Sequence, residues 1–189
     1  KNSLKSKKIS ETWVSSDNKK ILNIAKKFGA KVIIRPKELA SDKSSSDAAW
    51  QHAIEYIKKN NIIDLVVGVQ PTSPIRSIND FDNALRKFIS GKYDSMFSAS
   101  NFETFFSWHI KNKKVKPNYN LSKRPRRQEL NQSILENGSF YIFKAKLFLH
   151  YKNRLFGKIG FHLMKKYRGF QIDTLEDAIF INAIFKNYL

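Results

Sequence analysis

Leu65-Val66-Val67-Gly68-Val69-Gln70-Pro71-Thr72-Ser73-Pro74-Ile75-Arg76 is the stretch on which the fold turns. Its first half lacks the polar–apolar alternation of a strand wetted on one side. It reads instead as a strand buried on both faces, as in parallel sheets covered by helices. The prolines stop it, because a proline nitrogen has no hydrogen to give a strand ladder. Upstream, residues 12–16 form a short β-prone run halted by the turn signal Asp17-Asn18. Ile21, Ile24, Ala25 and Phe28 then recur at helical spacing, with Gly29 where a helix would end. Lys31-Val32-Ile33-Ile34 is a second strand, closed by Arg35-Pro36. After a polar loop, Ser46 or Asp47 can cap a helix carrying Ala49, Trp50, Ala53, Ile54 and Ile57. Downstream, a helix with Phe81, Leu85, Phe88 and Ile89 ends at Gly91, and Met96-Phe97-Ser98 is a further strand. This alternation predicts the α/β class, as a three-layer α/β/α sandwich with a mostly parallel sheet.

The rhythm breaks after Phe102. Residues 103–136 are polar, basic and proline-punctuated, with eight Lys or Arg and no acid from Lys111 to Arg127. Such a stretch inside a compact domain is expected to be an inserted arm with its own role. Order returns at Ser139-Phe140-Tyr141-Ile142-Phe143, a strand, followed by a short helix over residues 144–151. The final helix starts at Thr174, where Thr174-Leu175-Glu176-Asp177 has the form of a capping box, and Leu175, Ile179, Ala183 and Ile184 mark its expected inner face.

The 189 residues suit one domain, and 41% hydrophobic content is a globular value. No apolar run reaches the ~20 residues of a membrane helix, so no membrane partner is expected. With no cysteine there is neither a disulfide framework nor a zinc–thiolate site, which fits a cytoplasmic location. The net charge of +19 has three readings: nucleic-acid binding, a funnel for small anions, or compositional drift. The basic residues are spread along the chain, and no helix–turn–helix, RRM or zinc pattern accompanies them, so no nucleic-acid partner is expected. The four histidines show no metal spacing.

Five segments bear on chemistry: Arg35 to Ser46, Gln70 to Arg76, Arg126 to Leu130, Glu136 to Tyr141, and Ile172 to Asp177. Arg35 and Gln70 stand just past strand ends, where ligands bind in open α/β sheets. In order and spacing the set resembles the CMP-sialic acid synthetases (N-acylneuraminate cytidylyltransferases) over essentially the whole chain. CMP-Kdo synthetases are the nearest competitor, but the Gln-Pro-Thr-Ser-Pro-Ile-Arg and Asn-Gly segments fit the sialate branch better. The resemblance implies a homodimeric, Mg²⁺-dependent enzyme that joins CMP from CTP to an acidic nine-carbon sugar and releases pyrophosphate. It places Arg35 and Ser46 at the cytosine, and Gln70 and Arg127 at the sugar. Asn137 and Tyr141 fall in the same substrate region, although Asn137-Gly138 also makes a tight turn and the Tyr141 hydroxyl could equally lie in the core. Asp173 is the implied catalytic carboxylate and metal ligand.

The chain also departs from that pattern. The family's metal carboxylates are spaced Asp-Ile-Asp at a strand end, where both would share a face; here the first position is Gln171. An arginine expected before Asn137-Gly138 is replaced by Leu135, and a lysine expected near Ser107 is missing, which leaves the sugar's identity open. Residues 1–10 read as the tail of an amphipathic helix, where the family would have a strand and a phosphate-gripping loop. The expectation is a chain N-terminally truncated relative to the family: a fragment of a longer protein, or an inactive relative that lost the element.

Overall fold

The computed structural model describes residues 1–41, 43–102, 106–130 and 133–188. In chain order its elements are α1 (Asn2–Lys5), β1 (Trp13–Ser16), α2 (Lys19–Lys27), β2 (Lys31–Ile34), α3 (Ser46–Lys58), β3 (Leu65–Val69), α4 (Ile78–Ser90), β4 (Ser95–Phe102), β5 (Trp108–Lys111), β6 (Lys114–Pro117), β7 (Ser133–Lys144), α5 (Ala145–Tyr151), β8 (Ile159–Met164) and α6 (Leu175–Tyr188).

The central sheet has four strands in the order β3-β7-β4-β8. β7 runs antiparallel to both β3 and β4, while β8 is parallel to β4. Three strands therefore point one way and β7 opposes them, a reversal that apolar patterning cannot reveal. β1 and β2 form a separate parallel pair. Both faces of the four-stranded sheet are covered, and the period-two alternation of its strands decides which residue faces which helix layer. Leu65, Val67, Val69, Met96, Phe140, Ile142 and Met164 meet α4 through Phe81, Ala84, Leu85 and Phe88. Val66, Phe97, Tyr141 and Phe143 meet α3 through Trp50 and Ile54, and α5 through Phe148. The expected three-layer α/β/α architecture follows.

Local chemistry fixes the helix starts. Asn18 caps α2 by accepting from the amides of Lys20 and Ile21. Ser45 caps α3 by accepting from the Ala48 amide at 3.1 Å, one residue before the positions the sequence suggested, so Ser46 is the first helical residue. Ser77 and Asp80 form a reciprocal capping box on α4, and Thr174 and Asp177 do the same ahead of α6, as expected.

Three expectations need correction. The apolar stripe read for α2 is largely outside: Leu22 is its buried residue, whereas Ile21, Ile24 and Phe28 are exposed. α6 likewise buries Ile181 and Ile184 against Ile75, and leaves Leu175 and Ile179 in water. The arm is shorter than 103–136, because β7 begins at Ser133 and pairs there with Phe102. What remains carries an antiparallel hairpin, β5 with β6, and an aromatic knot. Tyr119 lies edge-on to Phe106 and Trp108, with the Arg124 guanidinium 4.1 Å over Phe106. Phe105, next to Phe106 in sequence, lies outside the described residues.

Candidate active site

The site is built where β3 ends against a bulge in β7. Between Phe97↔Tyr141 and Ala99↔Glu136 the β4–β7 register slips, so residues 137–140 oppose Ser98 alone. Asn137 fills that slip. Its Oδ1 accepts from Ser98 Oγ at 2.6 Å and from the Ser139 amide at 3.1 Å, its Nδ2 donates to Ser100 Oγ at 3.0 Å, and the side chain is 1% exposed. Its polar atoms are thus spent inside the protein. Gly138 takes φ +64°, the left-handed region open to glycine. A Cβ there would stand 2.6 Å from Gln171 Nε2 and 3.1 Å from the Gln70 amide. The missing side chain lets two glutamines approach one turn.

Both glutamines use that approach. Gln171 Nε2 donates to the Asn137 carbonyl at 2.7 Å. Gln70 is satisfied at both ends in one amide orientation, with Nε2 donating to the Gly138 carbonyl at 3.0 Å and Oε1 accepting from Arg154 Nη1 at 3.3 Å. Beneath them, Arg76 Nη1 donates to the carbonyls of Gln70 and Ser139, each at 2.8 Å, which ties the β3 exit to the β7 bulge. Burial pulls the Arg76 pKa down to about 10, still cationic at neutral pH. A second buried charge, Asp80, holds Arg168 at 3.1 Å, with His162 Nε2 at 3.9 Å as an electrostatic neighbour rather than a hydrogen-bond partner. Burial raises the Asp80 pKa, but the His162, Ser77 and Arg168 contacts outweigh it and hold the carboxyl below its usual value.

Tyr141 faces the α3 side, and its hydroxyl donates to Glu136. Burial and that carboxylate push its pKa up to about 12, so the phenol stays protonated and acts as a donor. Arg154 lies 4.8 Å from both the Tyr141 and Trp50 ring centres, and its Nε is 2.9 Å from Asp47 Oδ1, an ion pair by distance though off line for a hydrogen bond.

Of the residues named from sequence, Gln70, Asn137 and Tyr141 therefore converge, while Ser46 opens α3, whose next residue, Asp47, meets Arg154. Arg35 stands at the exit of β2, with Nε buried and lacking a hydrogen-bond partner. Arg127 belongs to the arm, in a short 3₁₀ turn over Arg127–Glu129. Asp173 is exposed, beside the cap of α6, where its amide donates to Asp177 at 3.0 Å. Gln171 and Asp173 lie in irregular chain rather than on a strand, so the shared strand face expected for that pair does not exist. The Ile172 amide, bonded to the Thr72 carbonyl at 2.8 Å, holds this segment to the Gln70–Arg76 loop instead. Sequence reasoning missed Arg154, one cation among many in a Lys-rich chain with no spacing to mark it. It quoted Arg76 without giving it a role.

This arrangement is a nucleotidyltransferase architecture. It superposes over its full length on a CMP:2-keto-3-deoxy-manno-octonic acid synthetase solved with CTP, covering 86% of that chain at a TM-score of 0.67 and 15% identity. It also matches a 4-diphosphocytidyl-2C-methyl-D-erythritol synthase from Anaerococcus prevotii at 0.63 and 16% identity, over 98% of this chain and 88% of that one. Identities this low speak to fold. The sequence is more specific: the profile of the cytidylyltransferase family matches residues 1–187, and the chain belongs to that family. It is 30% identical to a pseudaminic acid cytidylyltransferase of Campylobacter jejuni, across 98% of this chain and 82% of that protein. It is 33% identical to N-acylneuraminate cytidylyltransferase A of Danio rerio, across 74% of this chain but 33% of the fish protein.

Proposed function

We propose that this protein transfers CMP from CTP to a nonulosonic, sialic-acid-like sugar. The observation that carries the reading is the Gln70–Gly138–Gln171 junction at the carboxyl end of β3, in a chain matched end to end by the family. In the reaction a sugar hydroxyl oxygen attacks the α-phosphorus of CTP, and the bond from that phosphorus to the bridging oxygen breaks. Pyrophosphate leaves, and the hydroxyl proton passes to solvent. Gln70 is assigned to the sugar, and Arg35 and Ser46 to the cytosine; Tyr141, buried in the core with its hydroxyl given to Glu136, supports the Arg154 guanidinium rather than the sugar. The buried, unpartnered Arg35 Nε supports that assignment, since a lone buried donor calls for an acceptor. Arg127 is assigned to the sugar carboxylate, which its planar fork suits. Asn137 shapes the turn that carries these groups.

Mg²⁺ fits this chain in one limited way. No group of three or more His, Asp or Glu gathers among the described residues, and Gln171, whose Nε2 donates to the Asn137 carbonyl, has only a neutral amide oxygen to offer a cation. Beside it Asp173 offers an exposed carboxylate. One carboxylate plus substrate phosphates and water is a usual way to hold this ion. Bound there, Mg²⁺ would offset the charge that builds on the transferring phosphoryl group. The enzyme is assigned to the cytoplasm as a homodimer, which the exposed Trp108, Ile110, Val115 and Leu121 of the arm support, since an exposed apolar patch marks an association surface.

The test is nucleotide-dependent pyrophosphate release by the full-length protein. CTP together with a nonulosonic acid should give turnover, and ATP, GTP or UTP should not. Equal release without the sugar, or with every nucleotide, would remove the reading.

A further inference from the structure

We propose that Arg154 is a positioning residue of this site, which sets the Gln70 amide for the sugar and ties it to the start of α3. The inference rests on the reading of Gln70 as a sugar contact. Arg154 sits in the loop between α5 and β8, outside all five segments that the sequence marks, yet three elements converge on its guanidinium. From α3, Trp50 presents a ring 4.8 Å away and Asp47 places Oδ1 2.9 Å from Nε. From β7, Tyr141 presents a second ring, also at 4.8 Å. From the end of β3, the Gln70 oxygen accepts from Nη1 at 3.3 Å. The side chain keeps 19% exposure, enough to reach the surface but not to swing free.

The geometry has a chemical consequence. An amide has two nearly isosteric faces, one that donates and one that accepts, and its orientation is set by what surrounds it. Arginine has no acceptor, so it meets only the oxygen of Gln70. The Gly138 carbonyl has no donor, so it meets only the nitrogen. Between them the flip of Gln70 is decided before a sugar arrives, and the remaining lone pair and N–H are offered in one fixed pattern. Such preorganisation lowers the ordering cost of binding. Asp47 holds the other side of the guanidinium. It follows Ser46, the first residue of α3, so one guanidinium spans from the start of that helix to Gln70. Lysine cannot reproduce this, because an ammonium is a point charge and lacks a planar fork with separate arms for Asp47 and Gln70.

The test is a double-mutant cycle on the full-length protein, with KM for the sugar and KM for CTP measured separately. Arg154→Lys and Gln70→Ala should each raise the sugar KM on the order of tenfold, as loss of a charge-assisted hydrogen bond does. Under Arg154→Lys, which keeps a cation for Asp47, KM for CTP should move by less than about twofold. The double variant should be no worse than Gln70→Ala alone, because the lysine change acts through Gln70. Arg154→Met, which keeps the stem against the rings, serves in the cycle if the lysine variant does not fold. A sugar KM unmoved by Arg154→Lys, or a double variant equal to the product of the singles, would overturn the proposal while leaving the enzyme reading intact. A wild-type protein silent with CTP and every nonulosonic acid would defeat both.

Discussion

Single positions carry most of the chemistry, and each can be tested alone. Asp173 is the sharpest. If it fixes Mg²⁺ against the CTP phosphates, Asp173→Asn keeps the shape but loses the charge, and kcat should fall by at least about a hundredfold with the melting temperature unchanged. Near-normal turnover at limiting Mg²⁺ would make this carboxylate an ornament of the α6 cap. Gly138→Ala tests the turn. A side chain at φ +64° costs on the order of 1–2 kcal/mol, and the new methyl would push against the Gln171 and Gln70 amides. We expect lower stability by denaturant titration, together with a raised sugar KM. Asp80 gives the pH dependence. Its folded pKa is depressed, so its contribution is complete above the unfolded value of about 3.9 and is lost as pH falls through the lower folded value. Asp80→Asn should cost about 3 kcal/mol at pH 7, because it strands Arg168 in a buried site. The gap between variant and wild type should narrow steadily below about pH 4. A gap constant with pH would mean that the charge of Asp80 contributes nothing to stability.

Elements were legible where one residue decides them. The Leu65–Val69 run, the Asp17-Asn18 stop, the Thr174–Asp177 box and the Gly91 stop depend on local sterics and local hydrogen bonds, which a sequence displays directly. The stripe of α2, and that of α6 apart from Ile184, face differently from the sequence reading for a physical reason. α2 and α6 carry isoleucine, leucine and phenylalanine on more than one side, so spacing alone does not say which stripe meets the sheet, and packing chose Leu22 in one and Ile181 with Ile184 in the other. The early start of β7 was hidden because Glu136-Asn137-Gly138 looks like a turn. It is a turn, held inside a strand by the bonds between Asn137 and Ser98. The same effect limits the site. Gln70 and Tyr141 were found from their segments, but Arg154 was not, because its meaning arises only when α3, β3 and β7 are brought together around it.

At the scale of the whole molecule, charge and exposed apolar surface set the behaviour. The net charge of +19 favours encounter with anionic CTP and sugar acid, an effect that salt screens within about 10 Å at 0.1 M. The exposed Trp108, Ile110, Val115 and Leu121 belong to an arm that has little else to bury. Full burial of one such side chain is worth about 1.5–3 kcal/mol. We expect a dimer by sedimentation, and a shift toward monomer on Ile110→Asp with Val115→Asp; a mass independent of concentration and equal to one chain would contradict this. The central claim is the transfer itself, and the most direct measurement is isolation of its products. The full-length protein, given CTP, Mg²⁺ and a panel of nonulosonic acids, should convert at least one of them to a CMP-sugar, seen by mass spectrometry, with pyrophosphate formed in equal amount. No CMP-sugar from any member of the panel, together with tight and steeply salt-dependent binding to mixed-sequence DNA, would contradict the account.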